Sequence, residues 1–122
     1  MGVAHFSGIG YRKGVGSTVT QATSRSTGVT INAMCGTITT HNASLAAEAS
    51  AVFTVTNSFV EIGDVVVISQ RSGAVALNTQ VEVTAVAAGS FNVTVINNNV
   101  AAGTAETGAI ILNFAVIKAV TV

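Results

Sequence analysis

The side chains that could act as nucleophiles, general bases or metal ligands are few and widely spaced in this chain of 122 residues. Cys35 and His41 form one conceivable pair, because a histidine activates a thiol wherever the fold brings the two together. A single cysteine in an apolar strand is, however, more often a small buried hydrophobic residue. We therefore expect Cys35 to be buried and structural, and His41 to be a turn residue or to lie near a symmetry axis.

The other titratable candidates, which include His5, Asp64 and the four glutamates, are scattered rather than clustered. No second ligand lies near His41 at the spacing of a metal site. Residues 61–64 offer two carboxylates for calcium, but their spacing matches no EF-hand loop, and a turn leading into the next strand is the simpler interpretation. We expect no catalytic residues, no metal site and no cofactor.

A glycine-rich segment opens the chain and raises the question of phosphate binding. Residues 8–13 begin like a dinucleotide-binding fingerprint, but Lys13 stands where the third glycine belongs and no strand precedes the motif. Glycine this dense instead predicts an extended arm over residues 1–16, followed by one domain over residues 17–122. Within the arm, four residues are of the types that anchor interfaces, and we predict that they contact a partner: Phe6, Tyr11, Arg12 and Lys13.

Charge is unusually sparse in this chain. Charged residues make up 8% of it, and the formal net charge is zero, which argues against nucleic acid as a partner. So few charges would not keep a free-standing protein dispersed unless the surface carried Thr, Ser and Asn or were covered by partners, and we expect both. No apolar run approaches the roughly eighteen residues of a membrane span, so we expect no membrane partner.

The elements that must position these side chains are predicted to be strands. Val, Thr and Ile dominate the sequence, and β-branched residues favour pleated strands. Apolar and polar residues alternate with the period of a half-buried strand, and Ala88-Gly89 between two of these segments can form a tight hairpin turn. The sequence predicts an all-β sandwich or jelly roll of about eight short antiparallel strands. The predicted strand segments are 17–23, 29–34, 37–41, 53–56, 65–70, 81–85, 91–95 and 109–118.

The last predicted strand differs from the others because both of its faces are largely apolar. Such a strand is either central in a sheet or in contact with a second subunit. Its second face predicts an oligomer interface formed by Ile111, Ala115 and Ile117. The alternation also places Phe53, Phe91 and Phe114 in the core, and residues 42–50 and 97–108 are predicted to be loops.

Three stretches of the chain resemble a group of small virion proteins of tailed bacteriophages. These are GSTVTQATSRSTGVTINAMCGTITT from residue 16, VAAGSFNVTVIN from residue 86 and AIILNFAVIKAV from residue 109. The resemblance spans roughly residues 14 to 120. It implies a capsid decoration or cement protein, with a β-sandwich fold, homotrimeric assembly, a location on the outer surface of the virion and the major capsid protein as partner.

The same resemblance leaves a second function open, since similar modules occur within fibre proteins. In that alternative the chain is a head-fibre or tail-fibre adhesin module, and the loops 42–50 and 97–108 bind a host surface glycan. The absence of a distal domain or long fibre repeat in this sequence favours decoration. The four arm residues are then expected to contact the capsid.

Overall fold

Two four-stranded sheets form the domain in the computed structural model, which describes residues 10–119. Within these residues the chain forms eight strands and no helix, which confirms the predicted all-β sandwich. Sheet A has the order β1-β3-β8-β5, and sheet B has the order β2-β4-β7-β6. The strands are β1 (Ser17–Thr20), β2 (Val29–Thr30), β3 (Cys35–Thr39), β4 (Ser50–Thr56), β5 (Val65–Ser72), β6 (Thr79–Ala87), β7 (Ser90–Asn97) and β8 (Ile111–Ile117).

The core lies between the two sheets and follows the alternation of the sequence. Phe53, Phe91 and Phe114 are all buried, as predicted. The rings of Phe91 in sheet B and Phe114 in sheet A lie 5.6 Å apart at an interplanar angle of 51°, a tilted geometry that aromatic pairs favour. This contact joins the central strands β7 and β8. In sheet A, β8 lies between β3 and β5, the central position that its two apolar faces predict.

The prediction that all strands pair antiparallel is wrong for two pairs. β1 pairs with β3 in parallel, and β2 pairs with β4 in parallel. The first four strands alternate between the two sheets, so no hairpin joins any two of these four within a sheet and none imposes an antiparallel direction on them. Period-two alternation identifies the face of a strand but carries no information on the direction of its partner.

The predicted core position of Ala85 is also wrong. The register between β6 and β7 shifts between Val83 and Ala85, and a β-bulge of this kind reverses the alternation of faces beyond it. Ala85 is therefore exposed, and Val86 packs against the core in its place. The hairpin that follows turns at Gly89, whose φ is +81°, as the Ala88-Gly89 pair predicts.

The two ends of the sandwich differ in character. The loop end consists of residues 40–49, 73–78 and 98–110, and the terminal end consists of residues 10–16, 31–34, 57–64, 88–89 and 118–119. At the loop end, Leu45 and Glu106 form an isolated antiparallel bridge that joins two of the connections. No helix in the described part of the chain has the length and apolar character needed to cross a membrane.

Candidate interaction surfaces

An open groove of about 420 Å³ lies at the terminal end. One wall is the segment that leads into β1, and the other comprises the β2–β3 connection and the turn after β4. The groove is mostly apolar and exposed to solvent, which suits contact with another macromolecule. We call it the terminal groove; it is lined by Gly10, Tyr11, Arg12, Val15, Asn32, Ala33, Met34 and Phe59.

Tyr11 connects the first wall of the terminal groove to the last strand. Its hydroxyl donates a hydrogen bond to the main-chain carbonyl of Val116, while 43% of the residue stays exposed. The main-chain N–H of Val15 donates to the carbonyl of Arg12 over 3.3 Å, which closes a turn beside the groove. Of the predicted contact residues, Tyr11 and Arg12 thus line one groove, whereas Lys13 is exposed outside it and Phe6 lies outside the described residues.

The second wall is held by the buried side chain of Asn57. Its Nδ2 donates to the Ala33 carbonyl over 2.7 Å, and its Oδ1 accepts the Phe59 N–H over 2.9 Å. These two bonds fix the β2–β3 connection against the turn that presents Phe59. Sequence reasoning missed Phe59, although its position directly after the turn-forming pair at residues 57 and 58 separates it from the preceding strand.

Positive charge at the terminal groove is not neutralised within the described residues. The ion pairs among the described residues join Lys118 to Glu61 over 2.8 Å and to Asp64 over 2.6 Å, and neither pair involves Arg12 or Lys13. The hydrogen bond from Lys118 holds the pKa of Asp64 below its ordinary value, and the bond to Asp64 raises the pKa of Lys118. The groove can therefore offer its guanidinium group to an acidic surface.

The predicted oligomer residues lie on the outer face of sheet A. Ile111 and Ala115 are half-buried there, and Ile117 is exposed. Cys35 pairs with Ala115 on the same face and is partly exposed, so its predicted burial is wrong. Because Ile38 faces the core, the period of two turns Cys35 outward.

The conceivable catalytic pair does not form. Cys35 begins β3 and His41 follows its end, so the two lie about 20 Å apart along an extended strand. The Nδ1 atom of His41 accepts the N–H of Ala43 over 3.0 Å, which confirms the turn interpretation. Asp64 likewise closes a turn, accepting the N–H of Glu61 over 2.9 Å, and no three His, Cys, Asp or Glu side chains in residues 10–119 form a metal-binding group.

At the loop end, the carboxylate of Glu106 is completely buried and joins two connections, 73–78 and 98–110, to the start of β6. It accepts hydrogen bonds from the main-chain N–H groups of Val75, Ala76 and Gly108 and from the hydroxyl of Thr79. Burial alone would raise the pKa of Glu106, but these bonds outweigh it and hold the pKa below its ordinary value of 4.5. The carboxylate is thus a fixed structural anion.

A buried arginine complements this carboxylate without pairing with it directly. Arg25 donates to the carbonyls of Ala43, Glu106 and Gly108 and to the hydroxyl of Thr40. Burial lowers the pKa of Arg25, and the nearby charge of Glu106 partly offsets that effect. Because four of its five N–H donors are engaged by three main-chain carbonyls and the Thr40 hydroxyl, Arg25 holds the loop end in one conformation.

The residues described here thus provide an exposed groove at one end, an outer sheet face with exposed apolar side chains, and a rigid loop end. Comparison with known proteins adds nothing to this geometry: no family model, no characterised protein and no solved structure matches the chain.

Proposed function

We propose that this chain is a structural virion protein that binds the outside of an assembled bacteriophage capsid and stabilises it, as a homotrimeric decoration or cement protein. The observation that carries the proposal is the terminal groove. Tyr11 and Arg12, two of the residues expected to contact the capsid, lie there together beside the exposed ring of Phe59. Tyrosine and arginine are enriched among residues that dominate binding energy.

Stabilisation of the capsid follows from thermodynamic linkage. A protein that binds the assembled shell and not free capsid subunits shifts the equilibrium towards the shell by mass action. A trimer that presents three terminal grooves to neighbouring capsid subunits binds with high avidity even when each contact is weak. The preformed walls of the groove reduce the conformational entropy lost on docking.

The alternative function is a fibre adhesin module that binds a host glycan through the loop end. The bridge between Leu45 and Glu106, which joins the loops 42–50 and 97–108 into one surface, favours it. Neither loop contains an aromatic residue, however. Aromatic rings commonly pack against the apolar face of a ligand such as a glycan. Capsid binding therefore remains the primary proposal.

Co-sedimentation with undecorated phage shells tests the proposal. Deletion of residues 1–13 should leave a folded domain that no longer pellets with shells. The double variant Arg12→Ala plus Lys13→Ala should bind more weakly, and the loss should depend on salt because the lost term is electrostatic. Arg71→Ala removes one exposed positive charge from β5, away from the terminal end, and is the control for Arg12→Ala alone.

Three outcomes separate the hypotheses. Loss of pelleting in the deletion variant, with binding retained by Arg71→Ala, supports docking through the terminal end. Equal pelleting of the deletion variant and the full chain would move the docking surface to the β domain. Absence of shell binding by the full chain, together with retention on host glycans, would replace the proposal by the adhesin function.

A further inference from the structure

The two outer faces of the sandwich differ in chemistry. On sheet B the exposed face is a lattice of hydroxyl and amide groups, in which Thr54 donates to Asn92 over 2.9 Å and Thr84 and Thr94 share a hydrogen bond of 2.9 Å. These groups satisfy one another's hydrogen bonds. The outer face of sheet A carries one such bond in its middle row, from Thr37 to Asn113 over 3.1 Å, and none among the described residues in the half nearest the terminal end.

Two rows of paired residues form that half of sheet A. In the first row Val65 pairs with Ile117, and in the second Val67 pairs with Ala115, which pairs in turn with Cys35. Residues paired in this way lie on one face of a sheet. We call these five residues the apolar patch, and none of them is charged.

The apolar patch has both projections and a depression. Val65 and Ile117 are about half exposed and project from the sheet. Beside them, an open depression of about 240 Å³ is lined by Val67, Ile68, Ser69, Asn113, Phe114 and Ala115. The small side chains of Ser69 and Ala115 create it, and a branched aliphatic side chain is of a size to enter it.

We infer that the apolar patch docks on a second copy of this chain. The projection of one copy can enter the depression of the next, a head-to-tail contact of the kind that closes a ring, and the lack of charge in the patch removes the like-charge repulsion that opposes contact between copies. Stacked sheets of two copies would interdigitate as the two sheets of one domain do. The inference rests on the proposed homo-oligomer and deepens it by naming the contact surface.

The area of the face sets the strength of this contact. Four strands of about six residues give the whole outer face of sheet A roughly 400 Å² in projection, and the apolar patch occupies about half of that face, well below the roughly 800 Å² per partner of a standard interface. Free protein should therefore associate reversibly, with an oligomer fraction that rises with concentration. Attachment of several copies to one shell would raise their effective concentration and complete the assembly.

Sedimentation velocity from micromolar to near-millimolar protein tests the inference with a matched pair of variants. Val67→Asp places a charge on the apolar patch, and Val52→Asp places the same charge on the outer face of sheet B, where the valine is 47% exposed compared with 49% for Val67. Val67→Asp should raise the dissociation constant of self-association at least about tenfold, because a charge buried in the contact is costly. Val52→Asp should leave it unchanged.

The single cysteine of the chain provides a second measurement. Because Cys35 lies in the apolar patch, a short bis-maleimide should link two copies of the wild-type protein and of Val52→Asp, and few copies of Val67→Asp. A protein that stays monomeric at every concentration, or equal association and cross-linking in both variants, would overturn the inference.

The stoichiometry and shell binding distinguish this inference from the proposed function. Association that Val67→Asp abolishes supports the patch whether the species is a dimer or a trimer, whereas a dimer would refute the proposed trimer. Loss of self-association in Val67→Asp with intact pelleting of single copies on shells supports both the patch and capsid docking. Self-association through the patch without any shell binding would support the patch and refute capsid docking.

Discussion

The carboxylate of Glu106 is the side chain on which the loop end most depends. Glu106→Gln should lower the free energy of unfolding by about 3 kcal/mol at neutral pH, since the amide group presents N–H donors to the N–H groups of Val75, Ala76 and Gly108. Urea denaturation measures the change. Glu82→Gln is the control, because Glu82 is exposed on β6, and it should change stability by less than about 0.5 kcal/mol.

The difference in stability between the wild type and Glu106→Gln should also depend on pH, in a direction that the pKa of Glu106 determines. The pKa of Glu106 in the folded protein lies below its ordinary value of 4.5, so the charged carboxylate stabilises the fold fully above that value and loses its contribution as the pH falls through the folded-state pKa. The gap in stability between the wild type and Glu106→Gln should therefore close at acid pH. A gap that stays constant from pH 7 to about 2 would show that the charge has no role.

The aromatic residues give a second prediction at this scale. Phe91→Ala should cost about 3 to 5 kcal/mol, because it leaves a cavity against Phe114 in the centre of the sandwich. Phe59→Ala should cost less than about 1 kcal/mol, since that ring is about half exposed in the terminal groove. Thermal melting compares the two, and equal losses would contradict the division between core and surface.

Gly89 and Gly108, which lie in two connections between strands, test how closely those connections pack. A Cβ at Gly89 would meet open space, so Gly89→Ala should cost about 1 kcal/mol through its positive φ alone. A Cβ at Gly108 would collide with the Gly73 carbonyl and lie 2.9 Å from the Glu106 carboxylate, so Gly108→Ala should cost about 3 kcal/mol.

Hydrogen exchange separates these two glycine effects. The amides of Val75 and Ala76 should exchange faster in Gly108→Ala, because the carboxylate that accepts their hydrogen bonds is displaced, and should not change in Gly89→Ala. Equal exchange in both variants would show that the loops absorb the extra methyl group without moving Glu106.

At the scale of elements, the sequence predicts the strands better than their pairing. All eight strands overlap the predicted segments, because the longer ones place apolar residues at the period of the core face, as Phe91, Val93 and Val95 do. The parallel pairing of β1 with β3 and of β2 with β4 was beyond prediction, since it depends on how the first strands alternate between sheets. The outward position of Ala85 depends on a bulge that leaves no mark in the pattern.

The buried polar residues were the larger omission. Arg25 and Glu106 lie in segments with turn-forming neighbours, which ordinarily indicates exposure to solvent. Both are buried because loops that cross the end of a sandwich must satisfy main-chain groups without water. The arm residues Tyr11 and Arg12 were predicted as contacts from residue type alone, and the groove that they share depends on Phe59 and Met34, which are far from them in sequence.

At the scale of the whole molecule, the two ends face in opposite directions along the strands. The terminal groove, the bond from Tyr11 to Val116 and the Lys118 ion pairs lie at the terminal end. The loop end lies beyond the other ends of β4 and β7, where Leu77 and Val100 are exposed. If the terminal groove docks on a capsid, the loop end points away from it.

This polarity predicts which epitopes remain accessible on a decorated shell. The same short epitope can be inserted between Ala101 and Ala102, which are exposed at the loop end and suited to insertion, or fused after Val122. An antibody should recognise both forms in free protein. On shells it should label the inserted epitope strongly and the fused epitope weakly, because the chain reaches the terminal end at Ala119.

Electron microscopy of labelled shells, with circular dichroism to confirm that both forms fold, gives the result directly. Equal labelling of both epitopes would contradict docking by one end of the sandwich and would favour attachment through a sheet face. Strong labelling of the fused epitope alone would mean that the loop end faces the shell. In that case the rigid network around Glu106 and Arg25 would be the structure that positions the capsid-binding surface.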